Sequence, residues 1–174
     1  IYNGIDIDEI RVNKFRKNKI FLVIGRLEEE KMCDQIIRVF SKLPENLNVK
    51  LIFFSSNYVY PGFKGNYIEE SSLLPFNNYG WSKLGGESAV HMYPNSLILR
   101  ICMTEKPFVH KHAFTDLKTN FMFHDQLSKN LLNLIDKKGI LNIGGKIQTV
   151  YHFAKKFNKN IKKISAKKLY GKKY

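Results

Sequence analysis

An apolar run that stops abruptly at small polar residues constrains the fold of this chain more than any other stretch. Residues 51–54 are all apolar and are followed at once by Ser55, Ser56 and Asn57. Such a run is typical of a buried strand whose carboxyl end opens into a crevice of a parallel sheet. We therefore predict an α/β fold with a functional crevice at the end of this strand.

A tyrosine and a lysine one helical turn apart follow this strand. A helix is predicted to begin near Tyr79, and the four-residue spacing puts Tyr79 and Lys83 on one face of it. A phenol has an ordinary pKa of about 10, and a nearby ammonium stabilises the phenolate and lowers that pKa. With the hydroxyl of Ser56 to hold a carbonyl oxygen, the three side chains suit proton transfer during hydride transfer to a ketone.

The Tyr-x-x-x-Lys spacing alone is weak, because the lysine-rich chain contains it at residues 60–64, 79–83 and 151–155. The first copy contains Pro61-Gly62 and is predicted to be a turn. The third is predicted to be helical, but no strand-end serine precedes it at a suitable distance. The middle copy combines a helix with the upstream Ser56, so it is the candidate site.

The blocks around these residues resemble a known family. Residues 55–60, 65–70, 75–80 and 82–87, and then 96–100, 121–128, 139–145 and 149–151, are similar to the extended short-chain dehydrogenase/reductases. The best match is their sugar-nucleotide branch of dTDP-4-dehydrorhamnose reductase-like enzymes. The resemblance implies a Rossmann-like parallel sheet with flanking helices. It implies Ser56, Tyr79 and Lys83 as catalytic residues, and Tyr79 and Lys83 as contacts to an NADPH or NADH cofactor.

The implied reaction is NAD(P)H-dependent reduction of a 4-keto deoxysugar nucleotide, with the nucleotide sugar as partner. An epimerase or dehydratase of the same family would use the same three residues. The family's Gly-rich turn, which seats the cofactor pyrophosphate, does not occur in these 174 residues. The fold is therefore predicted to be incomplete at its N-terminal β-α unit, and a catalytically silent sugar-nucleotide-binding module or a fragment is an alternative.

Residues 1–48 resemble a different family. Residues 21–24 predict a buried strand and residues 32–43 a helix, and with the strand at 49–54 they form a β-α-β unit. Residues 3–6, 21–27 and 30–31 are similar to the nucleotide-sugar half of GT-B glycosyltransferases. That resemblance implies diphosphate binding by Arg26 and Lys31, and a glycosyltransferase fragment is a further alternative. We predict one compact unit made of residues 1–48 and a reductase-like portion at 49–174.

Composition excludes several classes of protein. The formal net charge is +14, but no nucleic-acid-binding motif accompanies the basic residues. The densest run, residues 155–173, is predicted to be a solvated and frayed surface. No apolar stretch reaches the ~20 residues that span a bilayer. Two isolated cysteines, Cys33 and Cys102, favour a reducing, cytoplasmic location.

Metal binding is not expected. His110 and His112 are potential ligands, but no further cysteine, histidine or carboxylate completes a zinc-type spacing around them. They lie in residues 103–118, which are predicted to form a loop facing the substrate. Further strands are predicted at residues 96–102 and 139–143, and helices at 125–136 and 149–157. Oligomeric state does not follow from the sequence.

Overall fold

The computed structural model describes residues 20–24, 42 and 49–171. In chain order, the elements are β1 (Ile20–Ile24), β2 (Lys50–Ser56), a 3₁₀ turn (Asn57–Val59), α1 (Asn78–His91), β3 (Ser96–Ile101), β4 (Met103–Thr104), β5 (His112–Phe114), β6 (Lys118–Thr119), β7 (Met122–Phe123), α2 (His124–Leu134), β8 (Gly139–Ile143), β9 (Gln148–Thr149), α3 (Val150–Lys155), β10 (Lys162–Ile164) and α4 (Ala166–Tyr170).

A four-stranded parallel sheet forms the centre of the described region. Its strand order is β1-β2-β3-β8, and every neighbouring pair is parallel. The strands are short and rich in branched apolar residues, as expected where a parallel sheet is covered on both faces. The predicted strands at residues 21–24, 49–54, 96–102 and 139–143 are therefore confirmed, as is the α/β class with a parallel sheet and flanking helices.

Alternate residues of the strands build two different cores, because successive side chains point to opposite faces of a sheet. On the α1 face, Phe53 packs with Val90 of α1 and Ile98 of β3. On the α2 face, Leu99 packs with Leu127 of α2. Fully burying one such side chain contributes roughly 1.5–3 kcal/mol, so these two clusters hold the helices on the sheet.

A third cluster joins segments that precede α2 in the chain to segments that follow it. The ring of Phe153 in α3 lies 5.2 Å from that of Phe123 and 5.6 Å from that of Phe121. Ile161, just before β10, is buried in the same cluster. Aromatic rings in tilted or edge-to-face contact at these separations are favourable beyond the area they bury.

Two sequence predictions about this part of the chain are only partly right. Residues 103–118 are mostly irregular, as predicted, but contain β4 and β5; the tail predicted to be frayed contains β10 and α4, although its described lysines are exposed as predicted. β5 and β10 pair with each other across about fifty residues of chain. Strands of three residues carry no periodicity of their own, so their pairing is invisible in the local sequence.

Several predictions fall outside the described residues: the helix at 32–43, the phosphate contacts of Arg26 and Lys31, and the thiol of Cys33. The helices predicted at 125–136 and 149–157 are confirmed as α2 and α3, each slightly shorter than expected. No helix within the described part of the chain is long and apolar enough to cross a membrane.

Candidate active site

Ser56 is the last residue of β2 and lies at the carboxyl edge of the sheet. Its side chain accepts a hydrogen bond from the backbone N–H of Tyr58 at 3.2 Å and therefore caps the 3₁₀ turn that follows. It also donates to Oδ1 of Asn57 at 3.4 Å. The strand consequently ends in a tight turn that fixes the serine hydroxyl at the edge where the sequence predicts a crevice.

The start of α1 is pressed against this turn. Asn77 caps the helix by accepting a hydrogen bond from the N–H of Gly80 at 2.8 Å. A Cβ atom on Gly80 would overlap the carbonyl oxygen of Tyr58 and come within 2.9 Å of Cβ of Pro75. Glycine therefore allows the first turn of α1, with Tyr79, to contact the turn after Ser56.

Lys83 is buried beside Tyr79, on the same face of α1. Its side chain is buried, and Nζ donates a hydrogen bond to the carbonyl oxygen of Phe54 at 2.7 Å. Nζ lies 5.8 Å from the centroid of the Tyr79 ring. The spacing-based expectation that both side chains share one helix face is thus met, and the ammonium reaches the end of the strand that carries Ser56.

A second phenol borders Tyr79. The ring of Tyr58 meets that of Tyr79 edge to face, with centroids 5.7 Å apart. Burial raises the pKa of Tyr58 above its ordinary value, and Cys102 and Tyr79 add to that increase. Tyr58 is therefore a neutral phenol at physiological pH and forms one wall next to Tyr79. The sequence analysis did not anticipate it.

The other two Tyr-x-x-x-Lys copies do not repeat the arrangement of Tyr79 and Lys83 at the end of β2. Residues 60–64 are irregular and bent, with Gly62 at φ 80°, and form no helical face, as predicted. Tyr151 and Lys155 do lie on a helix, α3, with Nζ of the lysine 5.7 Å from the ring. Tyr151 packs against the aromatic cluster around Phe153 and not on the end of β2.

A row of polar residues crosses three strands below the site. Ser55 of β2, Arg100 of β3 and Asn142 of β8 are direct neighbours in the register of the sheet. We call these three residues the polar row. The preceding row on the same face is apolar, with Phe53 beside Ile98 and Ile98 beside Ile140. The sheet thus changes from apolar to polar at its carboxyl end, on the face that α1 covers.

Glu87 of α1 and Tyr60 bond to the polar row. Arg100 donates to both carboxylate oxygens of Glu87 at 2.8–3.1 Å, and Ser55 donates to the same carboxylate. Arg100 also donates to the Tyr60 hydroxyl at 2.8 Å, and that hydroxyl donates to Oδ1 of Asn142 at 2.8 Å. Burial lowers the pKa of Arg100, but its bonds to Glu87 and Tyr60 outweigh this and raise it above its ordinary value.

Sequence reasoning gave no role to these residues, although most of them lie inside the blocks that carry the family resemblance. The available signal was positional. Each of the three strands reads as an apolar run whose penultimate or nearby residue is polar, in the order Ser55, Arg100 and Asn142. A polar residue at the same place in three strands predicts a shared polar row only when the strands are known to be neighbours.

Two open clefts of the described region lie away from these candidate residues. One cleft of about 370 Å³ is lined by Lys106, Lys146 and Lys156 together with the aromatic cluster, and none of Ser56, Tyr79 and Lys83 contributes to it. Within the described residues, no three His, Cys, Asp or Glu side chains are grouped so as to hold a metal ion. His110 and His112 are both exposed.

The parallel sheet, the strand-end serine and the adjoining helix define a Rossmann-like α/β protein. The sequence profile of the family described as RmlD substrate binding domain matches residues 29–156, well over half of the chain. The chain therefore belongs to this family. The match begins inside residues 1–48, and the glycosyltransferase resemblance of that segment stays a prediction.

Solved structures show the same fold. A hypothetical dTDP-4-dehydrorhamnose reductase from Sulfolobus tokodaii is 24% identical, with a TM-score of 0.64 over 80% of this chain and 59% of that one. The dTDP-4-dehydrorhamnose reductase from Bacillus anthracis in complex with NADP is 21% identical, with a TM-score of 0.61 over 70% of this chain and 53% of that one.

A UDP-N-acetylglucosamine 4-epimerase from Bacillus cereus is also similar, at 17% identity and a TM-score of 0.63 over 87% of this chain and 70% of that one. The chain spans a little over half the length of the two reductases. No curated protein sequence matches it.

Proposed function

We propose that this chain carries the catalytic residues of an NAD(P)H-dependent reductase that acts on a 4-keto deoxysugar nucleotide. The observation that supports this most directly is the buried Lys83, whose Nζ bonds to the end of β2 and lies 5.8 Å from the Tyr79 ring. Family membership and the similar fold of two dTDP-4-dehydrorhamnose reductases, one of them in complex with NADP, support the same reaction class.

Each side chain has a role that follows from its chemistry. Tyr79 donates the proton that the substrate oxygen needs when its carbon is reduced. Lys83 stabilises the phenolate that is left, because an ammonium near a phenol favours its charged form. Ser56 donates a hydrogen bond to the same substrate oxygen and fixes its position. The nicotinamide cofactor, when bound, supplies the hydride.

The donor set fits such a cofactor. An ammonium has three N–H donors, one of which Lys83 gives to the carbonyl oxygen of Phe54. Tyr79 and Lys83 would hold the hydroxyls of the nicotinamide ribose, which need donors of this kind.

Three other functions remain as alternatives. Epimerisation or dehydration of a nucleotide sugar would use the same three residues, and the fold is equally similar to a UDP-N-acetylglucosamine 4-epimerase. A catalytically silent sugar-nucleotide-binding module would keep the substrate but lose the cofactor. Arg26 and Lys31 stay candidates for diphosphate binding in a glycosyltransferase-like segment.

A cofactor titration tests the proposal. The chain is titrated with NADPH and NADH, followed by cofactor fluorescence, alongside Lys83→Met and Tyr79→Phe; Lys83→Met keeps most of the buried stem. We expect saturable binding that Lys83→Met weakens at least tenfold, and turnover of a 4-keto sugar nucleotide that Tyr79→Phe removes. Lys129→Ala, which changes an exposed lysine of α2, is the matched control. Binding of the nucleotide sugar without cofactor binding would instead support the silent module.

A further inference from the structure

We propose that Glu87, Arg100 and Ser55 are positioning residues that hold Tyr79 and Lys83 in register with Ser56. The proposal rests on the proposed function of those three candidates. Glu87 and Arg100 form an ion pair whose side chains are only 5% and 2% exposed. Neither charge takes part in the proposed reaction, so the burial of this ion pair beside the candidate site requires another explanation.

The spacing along α1 connects the pair to the candidate site. Glu87 follows Lys83 by four residues, as Lys83 follows Tyr79, so the three side chains lie on one face of the helix. The carboxylate of Glu87 accepts a hydrogen bond from Ser55, the direct neighbour of Ser56. These bonds, which we call the joint between α1 and the sheet, therefore lie one residue from Ser56 and one helical turn from Lys83.

The composition of the buried face of α1 explains why such a joint is needed. Its buried residues are Gly80, Lys83, Gly86, Glu87 and Val90. Two of them have no side chain, two are charged, and Val90 alone is a buried apolar side chain near the helix end. Hydrophobic packing by Val90 therefore fixes the C-terminal end of α1, and the polar bonds of Lys83 and Glu87 fix its middle.

Arg100 also binds the segment between Ser56 and α1. Its guanidinium donates to the carbonyl oxygen of Glu69 at 2.9 Å as well as to Tyr60. A planar guanidinium can bind a carboxylate with two parallel bonds and keep further donors for other partners, which a lysine cannot do. One side chain thus orders α1, the strand end and residues 60–69 together.

The test uses Ser55→Ala with Ser96→Ala as matched control. Both are buried serines on neighbouring strands, but Ser96 lies at the amino end of β3. We expect Ser55→Ala to lower kcat about tenfold with KM changed less than twofold, since small misplacements of reacting groups reduce turnover. Amide exchange of residues 79–87 should become at least fivefold faster. Ser96→Ala should leave both values as in the unmodified chain.

Arg100→Lys is the second variant. It keeps the positive charge but loses the planar guanidinium that binds Glu87 through several bonds. We expect it to lower kcat at least as much as Ser55→Ala does, because the geometry and not the charge is what positions the helix. If Arg100→Lys fails to fold, Ser55→Ala decides alone.

The two proposals can fail separately. An unmodified chain without turnover would overturn the reductase function, while exchange of residues 79–87 and labelling of Lys83 by an amine reagent would still test the joint. Exchange and labelling in Ser55→Ala equal to those in Ser96→Ala would overturn the positioning role. So would an unchanged kcat in Ser55→Ala of an active chain.

Discussion

Gly80 is the residue at which α1 comes closest to the turn after Ser56. Its α-carbon faces the carbonyl oxygen of Tyr58, and a Cβ atom there would overlap this oxygen. Gly86, further along the helix, has the same relation to the ring of Phe53. Glycine normally weakens a helix by about 1 kcal/mol, so its presence at both positions is explained by the close contact it allows.

The first prediction concerns Gly80→Ala. We expect it to lower the free energy of unfolding by about 1–3 kcal/mol, because the added methyl overpacks against backbone that is itself held by the Ser56 turn. Urea denaturation followed by circular dichroism measures this. Ser88→Ala, at an exposed position of the same helix, should leave stability unchanged within about 0.5 kcal/mol. Equal stability of the two variants would contradict the close contact.

The placement of Ser56, Tyr79 and Lys83 could be predicted from sequence because both rules involved are local. A strand that ends in polar residues and a four-residue helical spacing require no knowledge of distant partners. The pairing of Glu87 with Arg100 could not be predicted in this way. It depends on β2, β3 and β8 being neighbours in one register, which is a long-range property of the sheet.

At the scale of elements, the sequence predicts those helices and strands that have a local pattern and does not predict those that depend on long-range pairing. β2, β3, β8 and α2 have apolar patterns long enough to be recognised one at a time, and α1 is placed by its polar residues. The two-stranded pair of β5 and β10 has three residues per strand and draws its stability from the aromatic cluster beneath it. Composition predicted a solvated tail around β10 and α4, because the exposed lysines of this segment outnumber the few buried residues that hold it on the rest of the fold.

The second prediction concerns α4, which is attached through Asp116. This carboxylate accepts bonds from the Ser165 hydroxyl and from the N–H groups of Ala166 and Lys167. These bonds, that from Ser165 foremost, lower the pKa of Asp116 to about 2. Because the folded pKa lies below the ordinary value of about 3.9, the attachment is present at neutral pH and is lost as pH falls toward 2.

We expect the amide signals of Ala166 and Lys167 to move with a midpoint near pH 2 in an NMR titration. The variant Asp116→Asn keeps the shape but has no carboxylate to protonate, so this titration should be absent from it. A midpoint near pH 4 in the unmodified chain would show that Asp116 does not cap α4 in solution.

At the scale of the whole molecule, the net charge of +14 acts against compactness. Like charges spread over a surface repel one another, and the repulsion is larger in the folded state because the charges are closer together there. The lysines at residues 155, 156, 159, 162, 163, 167 and 168 are all exposed and lie within one short segment. The ion pair of Glu87 and Arg100 is buried and is screened much less by salt.

The third prediction follows from this charge. Raising NaCl from about 10 mM to about 150 mM shortens the screening length from roughly 30 Å to roughly 8 Å. We therefore expect the melting temperature to rise by a few degrees over this range. Replacing Lys162, Lys163, Lys167 and Lys168 by glutamine should reduce the rise. A melting temperature that falls with salt would mean that favourable surface ion pairs outweigh the repulsion.

The polar row also sets a lower limit on how far this protein can be shortened. The three candidate catalytic residues all lie before residue 84, so a shortened chain chosen by these residues alone would lack β8. Yet Asn142 of β8 accepts the bond from Tyr60, and its backbone N–H donates to the carboxylate of Glu69. Removing that strand would leave Tyr60 and Glu69 without these partners. When this protein is shortened, the smallest piece that keeps these bonds extends some sixty residues beyond Lys83, the last candidate catalytic residue.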